Sequence, residues 1–232
     1  MIVKKRERIL IITDSISMPR QEVKYEDTWI YLFKNKFIDF DIIDRPARGS
    51  TSMRLIQEGG GGLDLLELYM PDRVIIQMGL AESAPRLFRK DGFEKKFINT
   101  WLPAKIRNDY VKAIKEKRGR NPEFTDVPPE LFRSNIFNYA ERCRKLHVKL
   151  VIFKLLRPTD LFISKSPFIK QNIDRSNKIF EEAAAKFENI TLIDPISTEL
   201  DINALSLDEL HVNREGHKLF FKAVENYFKK VK

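Results

Sequence analysis

Five short runs of branched and aromatic apolar residues recur along the chain, each separated from the next by a longer segment with helical spacing. The runs are Arg8–Thr13, Phe37–Asp44, Arg73–Met78, Lys149–Leu156 and Ile190–Ile193. Each reads as nearly continuous Ile, Leu, Val and Phe, the pattern of a strand buried on both faces and therefore of a parallel sheet covered by helices. Strands alternating with helices give βαβ units, and right-handed crossovers wind them into a sheet with helices on both sides.

The intervening segments support this. Glu22–Lys36 carries Trp29, Leu32 and Phe33 at helical spacing, and Pro128–His147 and Phe168–Phe187 are further helices. Asn213–Val231 closes the chain with Leu219, Phe220, Ala223, Val224 and Tyr227 as its apolar stripe. Ser50–Tyr69 has helical character broken by Gly59–Gly62, where each glycine inside a helix costs roughly 1 kcal/mol. The expected fold is a flavodoxin-like three-layer α/β/α sandwich with a five-stranded parallel sheet. In such a sheet ligands meet the carboxyl ends of the strands. Residues 1–232 are read as one domain, with a helical insertion around 94–132 that either covers a cleft or sits apart as a peripheral helical pair.

Composition excludes several classes. The one cysteine, Cys143, leaves no internal disulfide and no cysteine metal set. No stretch reaches the ~18 apolar residues of a membrane span, and the Ile9–Ile12 run is too short for a signal sequence, so a cytoplasmic location is expected. The formal charge of +9 gathers partly at Lys112, Lys115, Lys117, Arg118 and Arg120. That run reads first as a solvated helix face and second as the footprint of an anionic partner. No nucleic-acid-binding motif accompanies it, and no nucleic-acid partner is expected.

Two places carry chemistry. Thr13-Asp14-Ser15-Ile16 leaves the first strand at the mouth of the sheet. There Ser15 is either a helix cap or a nucleophile, and a serine nucleophile needs a base and oxyanion donors. Near the other end stands Asp208-Glu209-Leu210-His211, followed by Asn213, a natural helix cap. An acid three residues before a histidine can hold its Nδ1–H and leave Nε2 to accept a serine proton. Of the three histidines, His211 is the one on a loop ahead of a helix.

Together, Asp14-Ser15 and the closing Asp208-x-x-His211-x-Asn213-x-x-Gly216-His217 resemble the first and last blocks of the SGNH (GDSL-type) hydrolases. The resemblance runs from residue 9 to residue 231, with Thr13 where that family has glycine. It implies acyl-ester chemistry with Ser15 as nucleophile, His211 as base and Asp208 as its orienting acid. Gly49 matches the family's second block, and its N–H and that of Ser15 are the implied oxyanion donors. The third block, Gly-x-Asn-Asp in the family, is here Gly79-Leu80-Ala81-Glu82, so the asparagine donor is missing. One such donor is typically worth about 10²–10³ in rate. Gly79, Glu82 and Arg86 are the candidates for lining this part of the site, with Ser83 and Asn172 as further replacement donors. Glu82 and Arg86 could also simply pair at i,i+4.

The Gly79–Arg86 segment resembles a variant third block of SGNH proteins associated with bacterial surface-polysaccharide synthesis. This implies an acyl group, acetyl first among them, on a carbohydrate. No metal or organic cofactor is implied. Three activities remain open from the sequence: an ester hydrolase, an O-acyltransferase using the same triad, and a catalytically reduced carbohydrate-binding protein.

Overall fold

The computed structural model describes residues 6–85, 88, 93–118 and 125–230. Five parallel strands, β1 (Arg8–Thr13), β2 (Asp41–Pro46), β3 (Arg73–Gln77), β4 (Lys149–Phe153) and β5 (Ile190–Ile193), form one sheet in the order β2-β1-β3-β4-β5. This is the flavodoxin-like order, with the winding reversing between β1 and β3. Strand ends are in register, Ile12 standing beside Arg45 and Ile76, so that the chain leaves β1, β2 and β3 at one edge of the molecule.

Alternate strand residues feed two cores. Leu10, Ile12, Val74, Ile76, Leu150 and Ile152 pack beneath α2 (Gly62–Tyr69), α6 (Pro129–Lys145) and α8 (Ile169–Lys186). Ile9, Ile11, Ile75, Val151 and Phe153 pack on the opposite face against α1 (Trp29–Lys36) and α9 (Arg214–Lys230). Trp29, Phe33, Phe220 and Phe228 fill that second layer and are essentially inaccessible. Truncating one such aromatic to alanine costs typically ~3–5 kcal/mol.

Several elements differ from the expectation. The first helix begins at Trp29 rather than Glu22, because the Thr28 hydroxyl caps it by accepting from Tyr31 N, while Arg20 and Val23 form a small bridge before it. The second strand begins at Asp41: Phe37 closes α1, Phe40 N bonds back to Phe37 O, and the two rings stack at 5.3 Å over Phe228. Residues 37–40 are apolar because they cover the core, not because they are strand. β4 stops at Phe153, and the short α7 (Asp160–Lys165), capped by Thr159, has no counterpart among the expected elements.

Gly59–Gly61 break the expected helix, leaving a 3-10 segment, Ser52–Ile56, and then α2. Between the four-residue α3 (Leu80–Ser83) and α6 lie α4 (Phe93–Trp101) and α5 (Ala104–Arg118), joined by a hydrogen bond from Tyr110 Oη to Glu94. No helix among the described residues is long and apolar enough to cross a membrane.

Candidate active site

After Thr13 the chain turns away from the sheet in a single 3-10 turn, Ser15–Ser17. The turn is locked from beneath. Asp14 N donates to Gln77 O at 3.0 Å, the Asp14 carboxylate accepts from Ile16 N at 2.9 Å, and Ser17 Oγ donates to Asp14 O at 3.1 Å. Thr13 Oγ1 completes the brace, 2.6 Å from Ser17 Oγ. Capping therefore falls to Asp14, and the Ser15 hydroxyl is left for another partner.

That partner arrives from the other end of the chain. The loop before α9 is pinched by the bridge between Ser206 and Val212, with Leu207 N donating to His211 O at 2.7 Å. Asn213 holds both sides: its Oδ1 accepts from Gly216 N at 3.1 Å and its Nδ2 donates to Ala204 O at 2.8 Å. A Cβ on Gly216 would stand 2.5 Å from Val212 Cβ, so the close approach of α9 to this loop requires glycine. His217, one residue on, accepts from Trp29 N at 3.3 Å and ties α9 to α1. Burial lowers its pKa to about 4, which keeps it neutral.

The result is a contiguous arrangement. Ser15 Oγ lies 3.2 Å from His211 Nε2, and both Asp208 oxygens lie 2.9 Å from His211 Nδ1. Burial opposes the charge on Asp208, but hydrogen bonds from the Leu210 and His211 N–H groups, each at 2.8 Å, and from the ring outweigh it and hold its pKa below the usual aspartate value. His211 is lowered, first by burial and then by the charges of Arg20 and Arg48, against the opposing pull of Asp208. A neutral imidazole with Nδ1–H on a carboxylate presents Nε2 as a base toward the hydroxyl.

No protein-family model matches the sequence, and no curated protein matches it. Solved structures do. A catalytic mutant of Axe2, an acetylxylan esterase from Geobacillus stearothermophilus, superposes with a TM-score of 0.62 at 14% identity, over 97% of this chain and 95% of the other. The esterase EstA from Pseudoalteromonas sp. gives 0.54 at 17% identity over 97% of both chains. A GDSL-like lipase from Bacteroides thetaiotaomicron gives 0.59 at 18% identity, over 99% and 91%. The chain has the SGNH hydrolase fold.

The segments expected to match the second and third blocks, around Gly49 and Gly79, follow the ends of β2 and β3. Gly49 has φ 64°, a left-handed conformation that an L side chain resists, between the exposed Arg48 and the buried Ser50. Ala47 N donates to Thr13 O at 2.9 Å, which draws this loop to the Ser15 turn. Ser15 opens its 3-10 turn, where a backbone N–H has no partner inside the turn.

Gly79 has φ 122° and packs its Cα side against Phe132 and Leu155. Ala81 is half-buried in α3. Glu82 is buried and accepts the Ser52 N–H, which ties the segment after β3 to the 3-10 segment after β2. Its other oxygen, Oε2, has no partner among the described residues. Burial raises the Glu82 pKa, and burial together with the Glu82 charge raises Asp14 to about 7. Ser83 Oγ donates to Gly79 O and meets Ser176 Oγ, and Asn172 Nδ2 donates to Ser83 O, so both side chains serve to hold α3. Arg86, and with it the Glu82–Arg86 pairing, lies outside the described residues.

Arg20 also joins the site, with no local signal in its neighbourhood to mark it. Its Nη1 is 3.7 Å from Asp208 Oδ2 and 3.1 Å from His211 Nδ1. Because Nδ1 gives its single proton to Asp208, Arg20 acts on the ring as a neighbouring positive charge. A small apolar cavity of about 30 Å³ flanks the site through Ile16, Leu80, Phe162 and Leu210. No group of three or more His, Cys, Asp and Glu side chains among the described residues is placed to hold a metal ion.

Proposed function

We propose that this protein is a serine-dependent acyl-ester hydrolase that removes a short acyl group, acetyl first, from a carbohydrate. The observation that carries the reading is the 3.2 Å contact of Ser15 Oγ with His211 Nε2 while Asp208 holds the opposite ring nitrogen. Ser15 attacks the ester carbonyl as His211 takes its proton. The N–H groups of Ser15 and Gly49 receive the oxyanion, and His211 returns the proton to the departing alcohol. Water, deprotonated by the same histidine, then cleaves the acyl-enzyme to the free acid and restores Ser15.

The small apolar cavity beside Ile16 and Leu210 suits a short acyl chain. An acetylxylan esterase stands among the proteins that share the fold. The variant third block adds the resemblance to polysaccharide-associated proteins. Ala81 supports a second reading, a carbohydrate-binding protein with little turnover, since the asparagine donor has no replacement among Ser83 and Asn172.

A fluorophosphonate probe separates the two. Labelling of Ser15 that disappears in His211→Ala is expected of the hydrolase. A folded protein that resists the probe between about pH 6 and 9, where a neutral histidine base operates, would overturn it.

A further inference from the structure

Beside Gly49 the surface opens into a groove of about 780 Å³, within the ~300–1,000 Å³ range of small-molecule sites. Arg48, Gly49, Ser50, Arg54, Gly60 and Asp126 are among its walls. It is far larger and more polar than the apolar cavity on the Ile16 side, so the two suit different halves of an ester.

Several arginines elsewhere meet carboxylates, Arg8 with Asp41, Arg20 with Asp208, Arg142 with Glu67 and Arg214 with Asp27, while Arg157 donates to the Thr198 carbonyl and Arg175 to Asn172 Oδ1. Arg54 is half-buried, yet among the described residues its guanidinium donates only to the neutral Arg45 carbonyl, at 2.8 Å. Arg45 in turn donates to the Asp44 carbonyl and the Tyr69 hydroxyl, while the Asp44 carboxylate is taken by Lys34. Burial, then the neighbouring Arg45, lowers the Arg54 pKa, as expected of a cation without a counter-charge. Arg48 forms no hydrogen bond or ion pair with any described residue and stands near enough to repel a proton from His211. The buried Ser50 hydroxyl in the same wall also has no partner among the described residues. A carboxylate, Asp126, lies on the wall as well. Two guanidinium forks facing one groove match the oxygens of a carboxylate or phosphate, which they bind bidentately.

We propose that this groove receives the alcohol half of the ester and that this half is an acidic saccharide whose carboxylate or phosphate is held by Arg48 and Arg54. The assignment rests on the hydrolase reading above. It makes the protein selective for O-acylated anionic glycans over neutral ones.

The test compares kcat/KM for O-acetylated oligogalacturonate, an O-acetylated hexose phosphate and neutral O-acetylated xylooligosaccharide. At least one anionic ester is expected to be preferred, with the preference shrinking at about 0.5 M salt. The anionic-to-neutral ratio should fall about tenfold in Arg54→Ala and in Arg48→Ala, with Arg54→Lys in between. The exposed position of Arg48 keeps the test valid should Arg54→Ala misfold. Galacturonate and phosphate arms tell which anion is recognised. Equal use of neutral and anionic esters, or a ratio untouched by both arginine variants, overturns the proposal while Ser15-dependent hydrolysis of p-nitrophenyl acetate leaves the hydrolase reading standing. Calorimetric binding of oligogalacturonate and glucose 6-phosphate reads the groove without turnover. Binding that weakens in Arg48→Ala supports the site even if no ester is cleaved, and absence of binding by both anions sinks it.

Discussion

The Arg20 guanidinium stands 3.7 Å from the Asp208 carboxylate, on the side of His211 away from Ser15. It favours the ionised acid and disfavours the imidazolium. Removing it lets the His211 pKa rise. Since the base works as neutral imidazole, Arg20→Met should move the acid limb of the kcat/KM profile to higher pH, with a larger loss at pH 6 than at pH 8, and Arg20→Lys should restore it. An acid limb that stays in place in Arg20→Met would show that this charge does not reach the base.

Ser15→Ala should abolish ester cleavage and barely alter stability. Among the described residues the hydroxyl bonds only to His211, while Asp14 and Ser17 hold the turn. A change below about 0.5 kcal/mol moves the thermal midpoint by at most ~2 °C. A large loss of stability with activity kept in the folded fraction would make Ser15 structural.

Asp208→Asn should cost less than His211→Ala, though by as much as ~10⁴ in kcat. The amide oxygen can still accept from the Leu210 and His211 N–H groups, but the amide can also press a donor on Nδ1 and favour the wrong tautomer. Full activity in Asp208→Asn would assign the orienting role elsewhere.

Asp14 makes stability depend on pH. Its folded pKa of about 7 lies above the ordinary 3.8. The folded state therefore keeps a proton that the unfolded chain releases as pH rises through this interval. The contribution is complete below about pH 4 and is lost as pH climbs to about 7, an effect on the order of 4 kcal/mol at most. Asp14→Asn keeps an oxygen for Ile16 N and removes the titration. Urea unfolding at pH 5 and 8 should show a smaller drop in the variant than in the wild type, and equal drops would mean that Asp14 is not proton-linked. His217, lowered to about 4, works in the opposite sense below pH 6.5, which is why the comparison between variants is the informative one.

Ala81→Asn should accelerate hydrolysis of p-nitrophenyl acetate, by up to ~10²–10³ if the amide reaches the developing oxyanion. A folded but slower variant would mean that a native group already fills the hole. Arg86→Ala then identifies that group if it cripples the wild-type rate. No change in either variant would place the α3 segment outside the site.

The winding of this protein was legible in its sequence because burial on both faces of a parallel strand leaves runs of Ile, Leu, Val and Phe that nothing else explains. The approximate positions of all five strands, the break at Gly59–Gly61 and the closing helix followed from that pattern. Ser15, Asp208 and His211 could be singled out as candidates because local pattern marks them, a serine directly after a buried strand and an acid three residues before a loop histidine. The end of α1 misled because Phe37 and Phe40 are apolar for packing against Phe228, and a side chain buried by a distant helix leaves no local period. Only the tertiary structure brought residue 15 to residue 211 and gave the capping role to Asp14. Only it placed Arg20 behind the Asp208 carboxylate and set Glu82 inside against Ser52. These contacts join segments far apart in the chain. Their energies depend on distance and burial through space, and a linear pattern records neither.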